Sequence, residues 1–221
     1  MNQIAENARR LLAQVPAGVT VVAAAKTRSP EEIMAAVESG IRDVGENYVQ
    51  EAISAREKIG DAVRWHCIGY LQTNKAKKAV EIFDLIQTVD SFKLAAEISK
   101  RASAISRTIS ILIEVNSARE EQKHGVAPEE VISLAKSIAD LPNLKFEGLM
   151  TMGPLSENPG ECRPYFRLTR RLWEELAGLE IPRLQARYLS MGMSDSWREA
   201  IEEGANMIRV GTLIFGPRLP R

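Results

Sequence analysis

The chain has 221 residues, 45% hydrophobic and 26% charged, and its 29 basic and 29 acidic side chains balance to a formal net charge of zero. That composition is ordinary for a soluble globular protein and long enough for one large α/β domain or two small ones. The balanced charge argues against a nucleic-acid partner, and no run of about 18 apolar residues offers a membrane span.

The N-terminal "MNQIAENARRLLAQV" has the spacing of an amphipathic helix carrying acids and amides, not the pattern of a signal peptide. Short β-rich runs then alternate with helical patterns. Strands are predicted near 19–25, 41–44, 63–68, 84–88, 108–115, 145–150, 186–190 and 206–210. In "SPEEIMAAVESG", Ser29 is placed to cap, Pro30 suits the first turn and Gly40 ends the helix. "SFKLAAEISKRASAIS" and "APEEVISLAKSIADL" repeat the helical spacing. A helix is expected after each strand but the last, which leads into a short turn.

Strict β-then-α order implies parallel strands joined by right-handed crossovers. With eight such units a closed (β/α)8 TIM-type barrel with an extra N-terminal helix is the economical arrangement, against an open doubly wound sheet. No GxGxxG follows the first strand, and no Pro/Gly/Ser-rich linker divides the chain, so residues 1–221 are expected to form a single domain. Cys67 and Cys162 lack CxxC spacing and read as reduced thiols of a cytoplasmic protein. His66 and His124 are too few and too scattered for a metal site, and strand 3, with Trp65, His66 and Cys67, reads as core or barrel lining.

In such barrels the active face lies at the C-terminal ends of the strands. There stand Lys26, "GEN" (45–47), "GYLQTNK" (69–75), "EEQKHG" (120–125), "TMG" (151–153), "SMGMS" (190–194) and "RVGTLIFG" (209–216). Loops after strands 7 and 8 are the usual anion site of the fold. "SMGMS" and Gly211–Thr212 supply hydroxyls and exposed amides for a phosphate; the plainer alternatives are Ser194 as a helix N-cap and Gly211 as a turn. Barrel closure sets strand 8 beside strand 1 and so brings Lys26 near that anion. A lysine partly withdrawn from water is a usable amine nucleophile, and an aldehyde-bearing phosphate ester such as pyridoxal phosphate would satisfy both places. The alternative for Lys26 is a snorkelling or salt-bridged side chain.

The motifs "AAAKTRSPEEI", "DVGENYVQEA", "WHCIGYLQTNK", "EEQKHG", "FEGLMTMG" and "LSMGMSDSWREAIEEGANMIRVGTLIFG" together resemble the pyridoxal-phosphate homeostasis protein family, itself similar to the N-terminal barrel of bacterial alanine racemase. The resemblance spans about residues 19 to 216. It departs at Tyr70, where the family more often has His. It implies pyridoxal 5′-phosphate held as an aldimine on Lys26, phosphate contacts from Ser194 and the Gly211–Thr212 backbone, and Arg209 facing the pyridine nitrogen. Ser190 and Asn47 match positions near the cofactor.

A guanidinium with a pKa above about 12 only donates, so the ring nitrogen beside Arg209 would stay unprotonated and the ring would be a weak electron sink. An ion pair within the barrel mouth is the other reading of Arg209. Two functions follow: a racemase-like enzyme, or a carrier that buffers the cofactor and hands it to apo-enzymes. A racemase needs an acid/base group on each face, one of which alanine racemase takes from a second domain. Only ten residues follow Gly211 here, so the expectation is a cytoplasmic, monomeric carrier with no turnover of its own. Lys123 beside His124 is either a second amine that receives the aldehyde or a solvated loop lysine; Lys75 and Lys77 read as surface charges.

Overall fold

Eight parallel strands hydrogen-bond in sequence order and close into a barrel, β8 pairing with β1. The computed structural model describes residues 2–154, 156, 158–181 and 183–217, so the expected domain 1–221 runs past the described residues at both ends. Helix α1 (Asn2–Gln14) precedes the barrel. The units that follow are β1 (Thr20–Ala24) with α2 (Pro30–Glu38), β2 (Asp43–Glu46) with α3 (Val49–Ile59), β3 (Arg64–Cys67) with α4 (Ala76–Ile82) and β4 (Leu85–Val89) with α5 (Phe92–Ala104). The second half adds β5 (Ile109–Glu114) with α6 (Val131–Ile138), β6 (Leu144–Met150) with α7 (Arg163–Ala177), β7 (Leu184–Ser190) with α8 (Trp197–Glu202), and β8 (Met207–Val210). Where a short turn was expected after β8, the chain makes one turn of helix, α9 (Thr212–Phe215).

Local chemistry fixes several of these boundaries. Ser29 and Glu32 form a reciprocal capping box at the start of α2: the Glu32 N–H donates to Ser29 Oγ (3.2 Å) and the Ser29 N–H to Glu32 Oε2 (2.8 Å). Gly40 follows at φ +113°, a conformation that a side chain would strain. The second strand lies two residues later than predicted. Ile41 is used as a core residue in the turn after α2, its N–H bonded to Ala36 O, and pairing with β1 and β3 draws Gly45 and Glu46 into the ladder despite their low strand propensity.

Alternation along the strands sorts side chains into two cores. Val22, Ile68, Leu85, Leu112, Met150, Tyr188 and Met207 form one cluster that contains no helix residue, so it fills the barrel interior. Val21, Ala23, Val44, Trp65, Ile86, Ile111, Leu149 and Ile208 point the other way and pack against the helices. The floor of the barrel is polar. Arg64, the first residue of β3, donates to Tyr188 Oη (2.8 Å) and Glu147 Oε2 (3.1 Å), and Lys145 pairs with the same carboxylate (3.0 Å). Cys67 and Cys162 are buried free thiols. No helix among the described residues is long and apolar enough to cross a membrane.

Candidate functional site

The β1–β8 seam positions the predicted amine. Val22 pairs with Arg209 and Ala23 with Val210, and a Cβ on Gly211 would lie 3.2 Å from Ala24 O. Val22 and Ala24 face the interior cluster, and Lys26, half-buried, follows in the turn two residues beyond Ala24. Its backbone is held on both sides: the Ala25 N–H donates to Gly45 O (2.8 Å), and the Thr27 N–H to Glu51 Oε2 (3.1 Å). Thr27 itself has φ +68°.

The loops after β7 and β8 meet directly. The Gly211 N–H donates to Ser194 Oγ at 3.2 Å. Ser194 is therefore not a helix cap. Ser196 occupies the N-cap position of α8, and its Oγ accepts from the Met193 N–H at 3.3 Å. Gly192 lets the β7 loop pack closely on α8: its φ is +89°, and an added Cβ would sit 2.6 Å from Ala200 Cβ. Exposed Thr212 begins α9, at the end of a helix where amide N–H groups have no intrahelical acceptor.

Arg209 lies below the mouth, 3% exposed, and joins a file of hydrogen bonds across the interior. Its Nη2 donates to Thr151 O (2.8 Å) and its Nη1 to Ser190 Oγ (2.6 Å). Ser190 Oγ donates to Gln87 Oε1 (2.7 Å), Gln87 Nε2 lies 2.9 Å from His66 Nδ1, and His66 Nε2 lies 2.9 Å from Asp43 Oδ1. Burial lowers the Arg209 pKa to about 10, opposed by the nearby Glu114 charge. That is below the value expected from sequence, yet the guanidinium stays charged at neutral pH.

A cavity of about 200 Å³ opens on the opposite side of the mouth, over β3, β5 and β6. Asn47, Glu114, Ser117, Lys123 and Thr151 contribute polar groups to it, whereas Lys26, Ser194, Gly211 and Thr212 do not line it. The seven predicted positions therefore divide: Lys26, Ser194, Gly211 and Thr212 along the β1–β7–β8 side, Asn47 just past the neighbouring β2 and lining the cavity, Ser190 and Arg209 beneath. Lys123 is not the solvated lysine of the plainer reading; its Nζ donates to Glu120 Oε1 (2.6 Å) and Gly153 O (3.0 Å). Tyr70 stacks on His124 at 3.6 Å between ring centroids and forms part of the rim. Lys75 and Lys77 are exposed, as predicted.

Glu114 is the site residue that sequence reasoning missed. Burial pushes its carboxyl up to about 7, with Arg209 pulling it down and Asp90 adding to the rise. The signal was its place two residues after inward-facing Leu112 in an otherwise apolar strand.

A second buried acid, Glu46, ends β2 with Oε2 unbonded among the described residues. Burial, reinforced by Glu51, raises its pKa from 4.5 to about 8. The unfolded chain ionises Glu46 near 4.5, while the folded protein keeps the proton to about 8. The stability this contributes is full below the lower value and is lost as pH rises towards the upper one. Glu46→Gln is thus expected to gain on the wild type between pH 5 and pH 8, by on the order of 2 kcal/mol in denaturant unfolding. A pH-independent difference would contradict this assignment.

Against known proteins, the family model for the N-terminal domain of alanine racemase matches residues 1–219. The pyridoxal phosphate homeostasis protein of Aquifex aeolicus is 44% identical over 202 residues, covering 90% of this chain and 86% of the relative. The chain belongs to the alanine racemase N-terminal domain family, among the pyridoxal phosphate homeostasis proteins. Within this group, the Escherichia coli homeostasis protein is 33% identical over 99% of this chain and 98% of its own. The family barrel also superimposes on PipY of Synechococcus elongatus, 37% identical without PLP (TM-score 0.91) and 36% identical in the structure with PLP bound (TM-score 0.88), each covering 97% of this chain and 100% of PipY. Alanine racemase of Clostridium difficile shares the barrel fold, with a TM-score of 0.79 at 13% identity; the match covers all of this chain and 61% of the racemase.

Proposed function

We propose that this protein binds pyridoxal 5′-phosphate covalently through Lys26 and serves as an intracellular store that buffers the cofactor and releases it to apo-enzymes. When bound, the group supplies an aldehyde that condenses reversibly with a primary amine, releasing water. The donor set fits it. Lys26 offers the amine, Ser194 and the Thr212 amide offer anion contacts beside Gly211, whose own N–H holds Ser194 Oγ, and Arg209 offers a charged donor to a ring nitrogen. Asn47 and Ser190 complete the surroundings. The observation that carries this reading is the β1–β8 seam, where the Gly211 backbone abuts Ala24, two residues before Lys26.

A carrier is favoured over a racemase-like enzyme for two reasons. The relatives that match at 33–44% identity bear the homeostasis name, whereas the racemases share only the barrel. Arg209 is also a permanent donor and cannot give a ring nitrogen a full proton at neutral pH, which would leave a bound ring a weaker electron sink. The working unit in this proposal is one cytoplasmic, monomeric domain.

Titration with pyridoxal phosphate is expected to produce a visible absorption band. Borohydride reduction followed by peptide mass mapping should then place the label on Lys26. D- and L-alanine should leave the band nearly unchanged and remain unracemised. A label elsewhere would overturn the binding assignment, and sustained racemisation would favour the enzyme.

A further inference from the structure

The interior file from Arg209 to Asp43 has only one workable direction. A guanidinium can only donate and a carboxylate only accept, so both ends are fixed by chemistry. Ser190 Oγ accepts from Arg209 Nη1, and its single O–H must then point to Gln87 Oε1. That turns Gln87 Nε2 towards His66 Nδ1, which must accept, and leaves the imidazole proton on Nε2, facing Asp43 Oδ1. His66 is fully buried, and desolvation lowers its pKa, consistent with a neutral ring. The file draws on β2, β3, β4, β7 and β8, one residue from each.

We propose that Asp43, His66, Gln87 and Ser190 form a positioning relay that fixes the guanidinium of Arg209, and that Ser190 therefore acts on a bound cofactor through Arg209 and not as a hydroxyl donor to it. The inference deepens the cofactor-binding reading and rests on it for its functional consequence. Ser190 has no proton left to offer an anion, so among the two serines of "SMGMS" only Ser194 remains to contact phosphate. Two of the Arg209 N–H groups are committed, to Ser190 and to Thr151 O, which locks the plane of the guanidinium and aims its other N–H groups. Hydrogen bonds aligned head to tail polarise one another, so a change at Asp43 is felt at Arg209.

The test has one arm that needs no cofactor. In the unliganded protein, nitrogen NMR should show His66 as the Nε2–H tautomer and Arg209 Nη–H signals protected from exchange. Gln87→Met, which removes its hydrogen bonds to Ser190, His66 and Met207 Sδ at similar side-chain length, should abolish that protection. In the second arm, Gln87→Met should weaken pyridoxal phosphate binding by about tenfold and shift the visible band. Gln87→Glu, which still accepts from Ser190 but has no N–H for His66 Nδ1, should restore the Arg209 protection while placing a proton on His66 Nδ1. Asp43→Ala, at the partly exposed end of the file (17%), should shift the band in the same direction by a smaller amount, and it decides the matter if Gln87→Met does not fold. The opposite His66 tautomer in the wild type, a Gln87→Met protein with unchanged Arg209 protection, or a Gln87→Glu protein that lacks this protection would each overturn the relay. A wild type that binds no cofactor but passes the NMR arm would overturn the cofactor reading alone.

Discussion

Lys26→Ala is expected to abolish the visible band of the loaded protein and to weaken pyridoxal phosphate binding by at least about a hundredfold. Among the described residues of the β1–β8 seam, Lys26 carries the primary amine that can condense with an aldehyde, and its loss leaves noncovalent contacts from the β7 and β8 loops and from Arg209. Lys26 stands beyond the last residue of β1 and outside both hydrophobic clusters, so the variant should unfold within about 1 kcal/mol of the wild type. Equilibrium dialysis alongside absorption would separate covalent from residual binding. Lys123 is a poor substitute. Its Nζ is held by Glu120 and Gly153 O, in a cavity that Ser194, Gly211 and Thr212 do not line. A Lys26→Ala protein that keeps the band would place the covalent site elsewhere.

Gly192→Ala should be costly in two currencies, folding and affinity. At φ +89° an L side chain is strained, and its Cβ would stand 2.6 Å from Ala200 Cβ and 3.0 Å from Trp197 Cα. Neither neighbour can rotate away, because one is a methyl group and the other is backbone. Helix α8 must shift outward, at an expected cost of about 3 kcal/mol in thermal or denaturant unfolding. The same shift should pull the loop bearing Ser194 away from Gly211 and weaken cofactor binding by more than about tenfold. Ser194→Ala, which loses a hydroxyl without moving a helix, should weaken binding with little effect on stability. Wild-type unfolding of Gly192→Ala would contradict the close approach.

The sequence-level reading of the fold succeeded where the signal is local. Alternating strand and helix patterns define the barrel because each unit carries its own punctuation, as Ser29, Pro30 and Gly40 do around α2. The motifs at the strand ends located Lys26, Ser194 and Gly211 on neighbouring strands once the barrel closed. Interior assignments were harder, since barrel strands are apolar on both faces and alternation does not label which face meets the helices. Gln87 within "LIQTV" and Glu114 ending "ISILIE" were visible as polar residues in apolar runs, but not as inward-facing ones. The relay beneath Arg209 takes one side chain from each of five strands, and no local pattern encodes such an assembly. Ser194 shows the reverse case: next to a helix start it resembles a cap, yet Ser196 holds the N-cap position and Ser194 bridges to Gly211.

The Arg64–Tyr188–Glu147 group described at the barrel floor makes the molecule a cup and not a tube. Whatever enters has a single doorway, so arrival and departure compete for the same rim. On the carrier reading proposed above, an acceptor must come to that rim, and while it is there no fresh molecule can be loaded behind it.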